Sequence, residues 1–233
     1  MILSVRDLSA GYGSVPVLRN ISFAQAEGEV LGVVGHNGMG KTTLLRALMG
    51  LVQTEFGAIE FGGQRIEAAP AYRRSSLGIG YVPQGDPGFP DLTVAENLAL
   101  ATAMRGRGNH MTIDAILGLF PKLGELLDRR SAALSGGERQ LLSIARAVIR
   151  SPRLLLLDEM TEGVQPSIVE EIAERLRDLH DQIGMSFLIV DQELAFVGYL
   201  ATRVLVMQNG QIVKELAADK LSDPETLGGF GVA

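Results

Sequence analysis

With 233 residues and 46% hydrophobic content, the chain can bury a full core as one large domain or two small lobes. A net charge of −6 and a pI near 5.2 disfavour nucleic acid as the main partner, because binding a phosphate backbone requires clustered Lys and Arg. The absence of cysteine removes disulfides and thiolate metal sites and fits a reducing cytoplasm.

Residues 1–8 alternate and carry charge early, so they read as an edge strand rather than a signal peptide. Nowhere does an apolar run approach the roughly 18 residues required to span a bilayer. Up to residue 30 the pattern predicts short strands. Leu3–Val5, Val15–Leu18 and Ile21–Phe23 supply the apolar positions, and Gly11-Tyr12-Gly13 and Glu27-Gly28 the breaks. Tyr12 sits in a glycine turn, where its ring is free to stack on a flat base, although core or turn packing is the more ordinary use of such a ring.

Val30–Val34 is a β-branched apolar run of strand length, and Leu44, Leu45, Leu48 and Leu51 recur at helical spacing until Gly50 offers a stop. Between them, Gly35-His36-Asn37-Gly38-Met39-Gly40-Lys41-Thr42 fits G-x-x-x-x-G-K-[ST] in the strand, loop, helix context of a phosphate-binding loop. Glycine lets backbone N–H groups close around a phosphate, and the helix points its positive end at the same anion. Lys41 is expected to reach the β- and γ-phosphates, and the Thr42 hydroxyl to take one position on Mg²⁺. Thr43 follows as part of the same segment, while the His36 side chain fills a free position and carries no expected role.

Phe56–Gly63 predicts a hairpin, so antiparallel strands should flank a parallel core. Ile79–Val82 reads as a buried strand closed by Pro83 and ending in Gln84, whose carbonyl oxygen can serve Mg²⁺ and whose amide can serve water; a solvated strand end is the alternative. From 85 to about 133, Pro87 and Pro90 lead into two helical patterns: Leu92, Val94, Asn97, Leu98, Leu100, then Ile113, Ile116, Leu117, Leu119, Phe120. They predict a small helical lobe inserted into the core. Leu134-Ser135-Gly136-Gly137-Glu138 then opens a helix with Leu141, Leu142, Ala145, Val148 and Ile149 on one face. Ser135 is the expected N-cap, and the two glycines leave N–H groups bare as a second anion site. One nucleotide loop with two phosphate sites invites a dimer.

Leu154–Leu157 is an apolar strand of the kind that fills parallel cores, and it ends in Asp158 and Glu159. Neighbouring strand residues point to opposite faces, so Asp158 is expected to hold Mg²⁺ through water while Glu159, the candidate base, faces a different position near the γ-phosphate. A helix follows from Pro166, with Ile168, Val169, Ile172, Leu176 and Leu179 on its apolar side and Gly184 past its end. Phe187–Val190 is the next strand, followed by Asp191-Gln192-Glu193, and Asn209-Gly210 between Arg203–Met207 and Gln211–Val213 signals a hairpin.

This order of phosphate loop, Gln84, Leu-Ser-Gly-Gly, leucine strand with Asp-Glu and terminal hairpin resembles the ATP-binding subunits of ABC transporters over nearly the whole chain. The resemblance implies an α/β fold: a P-loop NTPase (RecA-like) core with an antiparallel β subdomain (1–84 and 151–233) and an inserted ABC-type α-helical subdomain with the signature helix (85–150). Together these make one ATP-binding domain, 1–233. It implies ATP and Mg²⁺ as cofactors and ATP hydrolysis as the reaction. Tyr12 would stack on adenine, and Gly35, His36, Asn37, Gly38, Met39, Gly40, Lys41, Thr42 and Thr43 would surround the phosphates. Thr42, Gln84 and Asp158 would serve the metal, and Gln84 would also sense a membrane partner. Ser135, Gly136, Gly137 and Glu138 would bind the γ-phosphate held by the opposite subunit. The implied partners are an integral-membrane permease, a second copy or a related ATP-binding subunit, and indirectly a periplasmic or extracellular solute-binding protein, with no nucleic acid. The implied place is the cytoplasmic side of the inner membrane, as a peripheral subunit.

Tyr81–Gln84 followed by Phe89–Leu98 is similar to subunits that serve uptake of branched-chain amino acids, urea or short amides, and Thr161–Pro166 is similar to the urea type in particular. Phe89, Leu92 and Val94 are expected to help form a groove for a short permease helix, with ordinary core packing an equal alternative. Glu138 stands where Gln is commoner, Met160 where Pro usually follows the catalytic Glu, and Gln192 where most relatives place a switch histidine. His110 lies in the helical lobe and His180 on the helix before the strand, so neither replaces it. Gln192 can donate its amide hydrogens to the γ-phosphate and orient water, but it cannot titrate. A switch GTPase would need an Asn-Lys-x-Asp segment, which is missing. The stretch from Gln84 to Ser135 is too short for the coiled coil of a repair or ribosome-acting ATPase. The runner-up is a stand-alone ABC ATPase with a soluble partner.

Overall fold

The structure, a computed structural model, describes residues 1–86, 88–103 and 111–222; Pro87 and His110 lie outside them. β1 (Leu3–Tyr12) and β2 (Val15–Gln25) form one long hairpin instead of the expected short strands. Register shifts between Val5 and Gly11 absorb the irregularity, so the ladder bends without breaking. β3 (Val30–Val34) leads through the glycine loop to α1 (Lys41–Met49), which Gly50 ends in the left-handed conformation. Leu51 falls beyond that cap and is exposed, so it is no part of the helical stripe.

β4 (Thr54–Phe61), β5 (Gln64–Arg65), α2 (Ala71–Ser76) and β6 (Ile79–Val82) follow. Then come α3 (Val94–Ala103), α4 (Ile113–Leu119), α5 (Pro121–Gly124), a 3-10 turn at Ser131–Ala133 and α6 (Gly136–Val148). The remaining elements are β7 (Leu154–Asp158), α7 (Pro166–Ile183), β8 (Ser186–Val190), α8 (Leu194–Leu200), β9 (Arg203–Gln208), β10 (Gln211–Ala217) and a 3-10 turn at Ala218–Ser222.

An antiparallel sheet in the order β2-β1-β4-β5 lies apart from a six-stranded sheet in the order β10-β9-β3-β8-β7-β6, whose β9-β3-β8-β7-β6 part is parallel. The central strands split their side chains between two cores with the period of two that a pleated strand imposes. Val30, Leu155, Leu157, Phe187, Ile189, Val204 and Val206 join the core built with α3, α4, α6, α7 and α8. Leu31, Val33, Leu154, Leu156, Leu188, Val190 and Leu205 join the core built with α1 and the antiparallel sheet. Both faces of the parallel sheet are thus covered, which is why its strands read as unbroken apolar runs.

One buried cation braces the loop helix from behind. The Arg74 guanidinium donates to the carbonyls of Ala47 and Leu48 at 2.8 Å each, and to those of Ala69 and Glu67 at 2.8 and 2.9 Å. Two of these are last-turn carbonyls of α1, of which Ala47 O also accepts from the capping Gly50 N at 3.1 Å. No spacing rule in the sequence marks Arg74 for this task.

Candidate nucleotide-binding site

The parallel register places the ends of four strands side by side. Val33 pairs with Val190, Val190 with Asp158, and Leu157 with Val82, so Gly35, Asp191, Glu159 and Gln84 leave the sheet along one edge. Crevices beyond the carboxyl ends of parallel strands are where such sheets bind ligands.

The loop folds as its sequence requires. Gly38 and Gly40 take φ values of 81° and 99°, and a Cβ on Gly40 would press on Val17, Leu18 and Met207. Gly40 caps α1 without any side-chain bond, so the first N–H groups of the helix face the loop unpaired by the helix itself. Met39 is held from outside: its carbonyl accepts from Gly210 N at 3.0 Å and its sulfur from Asn209 N at 3.2 Å. That side chain serves the terminal hairpin rather than a ligand. His36 and Asn37 are exposed, Thr43 is buried, and Lys41 is almost wholly buried.

Lys41 Nζ donates to the carbonyls of Gly35 and His36 at 2.7 and 3.1 Å and lies 3.4 Å from Glu159 Oε1. Thr42 Oγ1 donates to Asp158 Oδ1 at 2.9 Å, and Tyr81 OH donates to Asp158 Oδ2 at 2.9 Å. Both carboxylates therefore face the same loop but different partners, Asp158 the Thr42 and Tyr81 hydroxyls and Glu159 the Lys41 ammonium. The alternation of a strand stops at Asp158, because Glu159 takes a positive φ of 50° and turns its side chain back.

Burial is the main cause of the pKa shifts here. It raises Asp158, against the pull of the Thr42 and Tyr81 hydroxyls. It also raises Glu159, helped by a hydrogen bond with Glu162 and by the charge of Asp158, and opposed by Lys41. Tyr81 rises strongly, first from burial and then from Asp158. Arg46 reaches Tyr12 OH at 3.4 Å, and bonds to Tyr12 and Tyr81 raise its pKa. Tyr12, Arg46, Tyr81, Asp158 and Thr42 form one chain of contacts. The sequence reading missed the Arg46 and Tyr81 parts, because they depend on β6 lying beside β7.

Tyr12 is 47% exposed next to α1, free to present its ring. Gln84 is exposed, and its amide donates to the Glu162 carboxylate, leaving its carbonyl oxygen as the atom for a metal. Thr42, Asp158 and Gln84 are hard oxygen donors, and no cluster of three or more His, Cys, Asp or Glu side chains exists among the described residues. That set, with Asp158 as its one carboxylate, fits Mg²⁺, which takes one or two carboxylates with other hard oxygens, waters and substrate phosphates.

The signature segment differs from expectation in two ways. Ser135 is the N-cap, but Glu138 closes a capping box: Glu138 Oε2 accepts from Ser135 N at 2.7 Å, and Ser135 Oγ accepts from Glu138 N at 3.3 Å. Glu138 is thus engaged with its own helix end rather than turned to a phosphate, a pattern readable in Ser-x-x-Glu. A Cβ on Gly137 would lie 2.3 Å from Ile168 Cγ2, so this glycine lets α6 close on α7. Only Gly136 lacks a packing reason, its nearest neighbour being Gly163 O at 3.6 Å.

Gln192 is exposed at a cleft of about 750 Å³ shared with Thr161, Glu162 and Tyr199, and its side chain makes none of the bonds that join Lys41, Thr42, Asp158 and Glu159. Val94 is fully buried in the core, so it cannot line a groove; Leu92 is half-buried, and Phe89, 40% exposed under the Arg146 guanidinium, is the one that presents its face. Met160 is buried against the Gln140 amide and leaves both carboxylates in place.

The ABC transporter family profile matches residues 18–162. The chain is similar to the high-affinity branched-chain amino acid transport ATP-binding protein BraG of Pseudomonas aeruginosa, 36% identical over 96% of this chain and 97% of that one. It is also similar to the probable branched-chain amino acid transport ATP-binding protein LivF of Archaeoglobus fulgidus, 34% identical over 94% and 93%. Among solved structures, the ADP conformation of an ATP-binding cassette of an ABC transporter superposes with a TM-score of 0.84 at 27% identity, over 97% of both chains. No helix among the described residues is long and apolar enough to cross a membrane. The chain therefore belongs to the ABC transporter family and, within it, to the subunits that bind and hydrolyse ATP.

Proposed function

We propose that this chain drives an ABC importer of branched-chain amino acids, hydrolysing MgATP on the cytoplasmic face of the inner membrane beneath an integral-membrane permease. The observation that carries the hydrolytic part is the convergence of Lys41, Thr42, Asp158 and Glu159 on one loop. In this reading Lys41 exchanges its loop carbonyls for the β- and γ-phosphates, and the first N–H groups of α1 take the remaining phosphate oxygens. Thr42, Asp158 and Gln84 would hold Mg²⁺, which when bound would neutralise charge on the phosphates. Glu159, with a carboxyl raised by burial toward the working pH, accepts the proton of the attacking water. Gln192 orients that water, and Tyr12 stacks on the adenine.

The sandwich of two ATPs between the loop of one subunit and Ser135-Gly136 of another completes the site, in a two-fold pair with a second copy or a related subunit. Similarity to BraG and LivF supports branched-chain amino acids as the solute class, delivered by a solute-binding protein; urea or a short amide is the alternative raised by Thr161–Pro166. Glu159→Gln should keep ATP affinity, lower turnover at least ~100-fold and accumulate dimers with ATP. Parental turnover in that variant would remove Glu159 from the base role. Failure to co-purify with a membrane permease would redirect the assignment to a soluble partner.

A further inference from the structure

We propose that Asp191 is a positioning residue for Glu159: its buried carboxylate ties the turn after Glu159 to the turn after β8 and so fixes where the Glu159 carboxylate lies. The inference rests on Glu159 being the base. Asp191 is fully buried and accepts four hydrogen bonds, from Thr161 Oγ1 at 2.7 Å, Thr161 N at 3.2 Å, Gln192 N at 2.8 Å and Glu193 N at 3.0 Å. Its own N–H donates to Val33 O at 3.3 Å, on the strand that feeds the phosphate loop. One residue thus connects three strand ends.

Three of these bonds fall on Oδ1 and one on Oδ2, and all four come from the two turns that the carboxylate joins. Asp191 is not a helix cap, because Glu193 fills that position for α8 through Ala195 N. What its bonds do is define residues 158–161. Glu159 N donates to Val190 O at 2.8 Å, and two residues later Thr161 is clamped to Asp191. Between these clamps Glu159 holds a positive φ and Met160 is fully buried. A non-glycine residue keeps such a backbone only where its surroundings over-determine it. Thr161 therefore acts on the Glu159 carboxylate through two residues of held backbone, and a misplacement of about 1 Å at a reacting group can cost ~100-fold in rate.

The test compares Thr161→Val, Thr161→Ser, Asp191→Asn, the Thr161→Val/Asp191→Asn double variant and Glu159→Gln in the full chain, with kcat and KM for ATP at saturating Mg²⁺. Thr161→Val and Asp191→Asn should each lower kcat ~10-fold or more with KM within about twofold. The double variant should be no slower than the slower single, because both cut the same link. Thr161→Ser should restore kcat to within about twofold of the parent. Thr161 is half-exposed, so the Val and Ser pair decides the matter even if Asp191→Asn unfolds. Parental kcat in Thr161→Val, or multiplying losses in the double variant, would overturn the proposal. If Glu159→Gln is inactive while Thr161→Val is parental, only the positioning role falls. If Glu159→Gln turns over normally, the base assignment falls and takes this inference with it.

Discussion

Replacing Gly137 by alanine should force α6 off α7. The new Cβ would lie 2.3 Å from Ile168 Cγ2 and 3.0 Å from Ile168 Cβ. Carbon atoms settle about 3.5 to 4.0 Å apart, so the helices must part by roughly 1 Å or Ile168 must leave its rotamer. Overpacking of this kind costs about 1–3 kcal/mol, offset by up to ~1 kcal/mol from the better helix propensity of alanine. Gly136→Ala meets only Gly163 O, at an ordinary 3.6 Å, so it should gain a few tenths to ~1 kcal/mol. The two variants should then differ by about 2 kcal/mol, or roughly 4–8 °C in thermal midpoint for a chain of this size. Nucleotide-free melts followed by circular dichroism would measure this directly. In an Ile168→Ala background the penalty of Gly137→Ala should shrink, since the partners of the clash are shared. Equal midpoints for the two single variants would refute the packing argument and return both glycines to the anion-site role.

Arg74→Met should cost about 2–4 kcal/mol, because four backbone carbonyls lose a buried charged donor, and urea unfolding of the purified chain would show it. Glu138 is held below its ordinary carboxyl pKa, chiefly by the Ser135 amide. A depressed carboxyl adds stability above its unfolded pKa and loses it as pH falls through the folded one. Parent protein should therefore melt above Glu138→Gln at pH 7, by less than ~1 kcal/mol, and the gap should close below about pH 4. Gln192→Ala should lower kcat ~10-fold with a smaller effect on ATP binding, and the parent should show no loss of kcat near pH 6.5 traceable to this position. A kcat within twofold of the parent would end the role of Gln192.

What the sequence made legible was local chemistry. Gly35 to Thr42 carry strand, turn and helix signals within a few residues, and Asn209-Gly210 specifies its own hairpin with φ values of 47° and 76°. The helix from Pro166 to Gly184 likewise has both its start and its stop written in the chain. Contacts that needed the sheet order were not legible. Tyr81 on Asp158, Asp191 on Thr161, and Asp86 on Ser143 and Arg146 at 2.7 and 3.0 Å join segments that nothing in sequence spacing relates. The backbone at Glu159 was illegible for a different reason, since strand alternation does not anticipate a non-glycine residue with a positive φ of 50° at the strand's end.

The brace between Met39 and the Asn209-Gly210 turn also bears on how the protein is made. The two partners are 170 residues apart. Both sheet neighbours of β3, namely β8 and β9, also come from the last quarter of the chain. A ribosome adding 5–20 residues per second leaves an interval of roughly 10 to 30 s in which the glycine loop exists without its floor or its flanking strands. During that time apolar Val30–Val34 is an unpaired strand, which exposes the nascent chain to mispairing. Competence to retain ATP should thus arrive abruptly near the end of synthesis, and release of a chain truncated before residue 203 should yield a product that chaperones hold and nucleotide does not rescue.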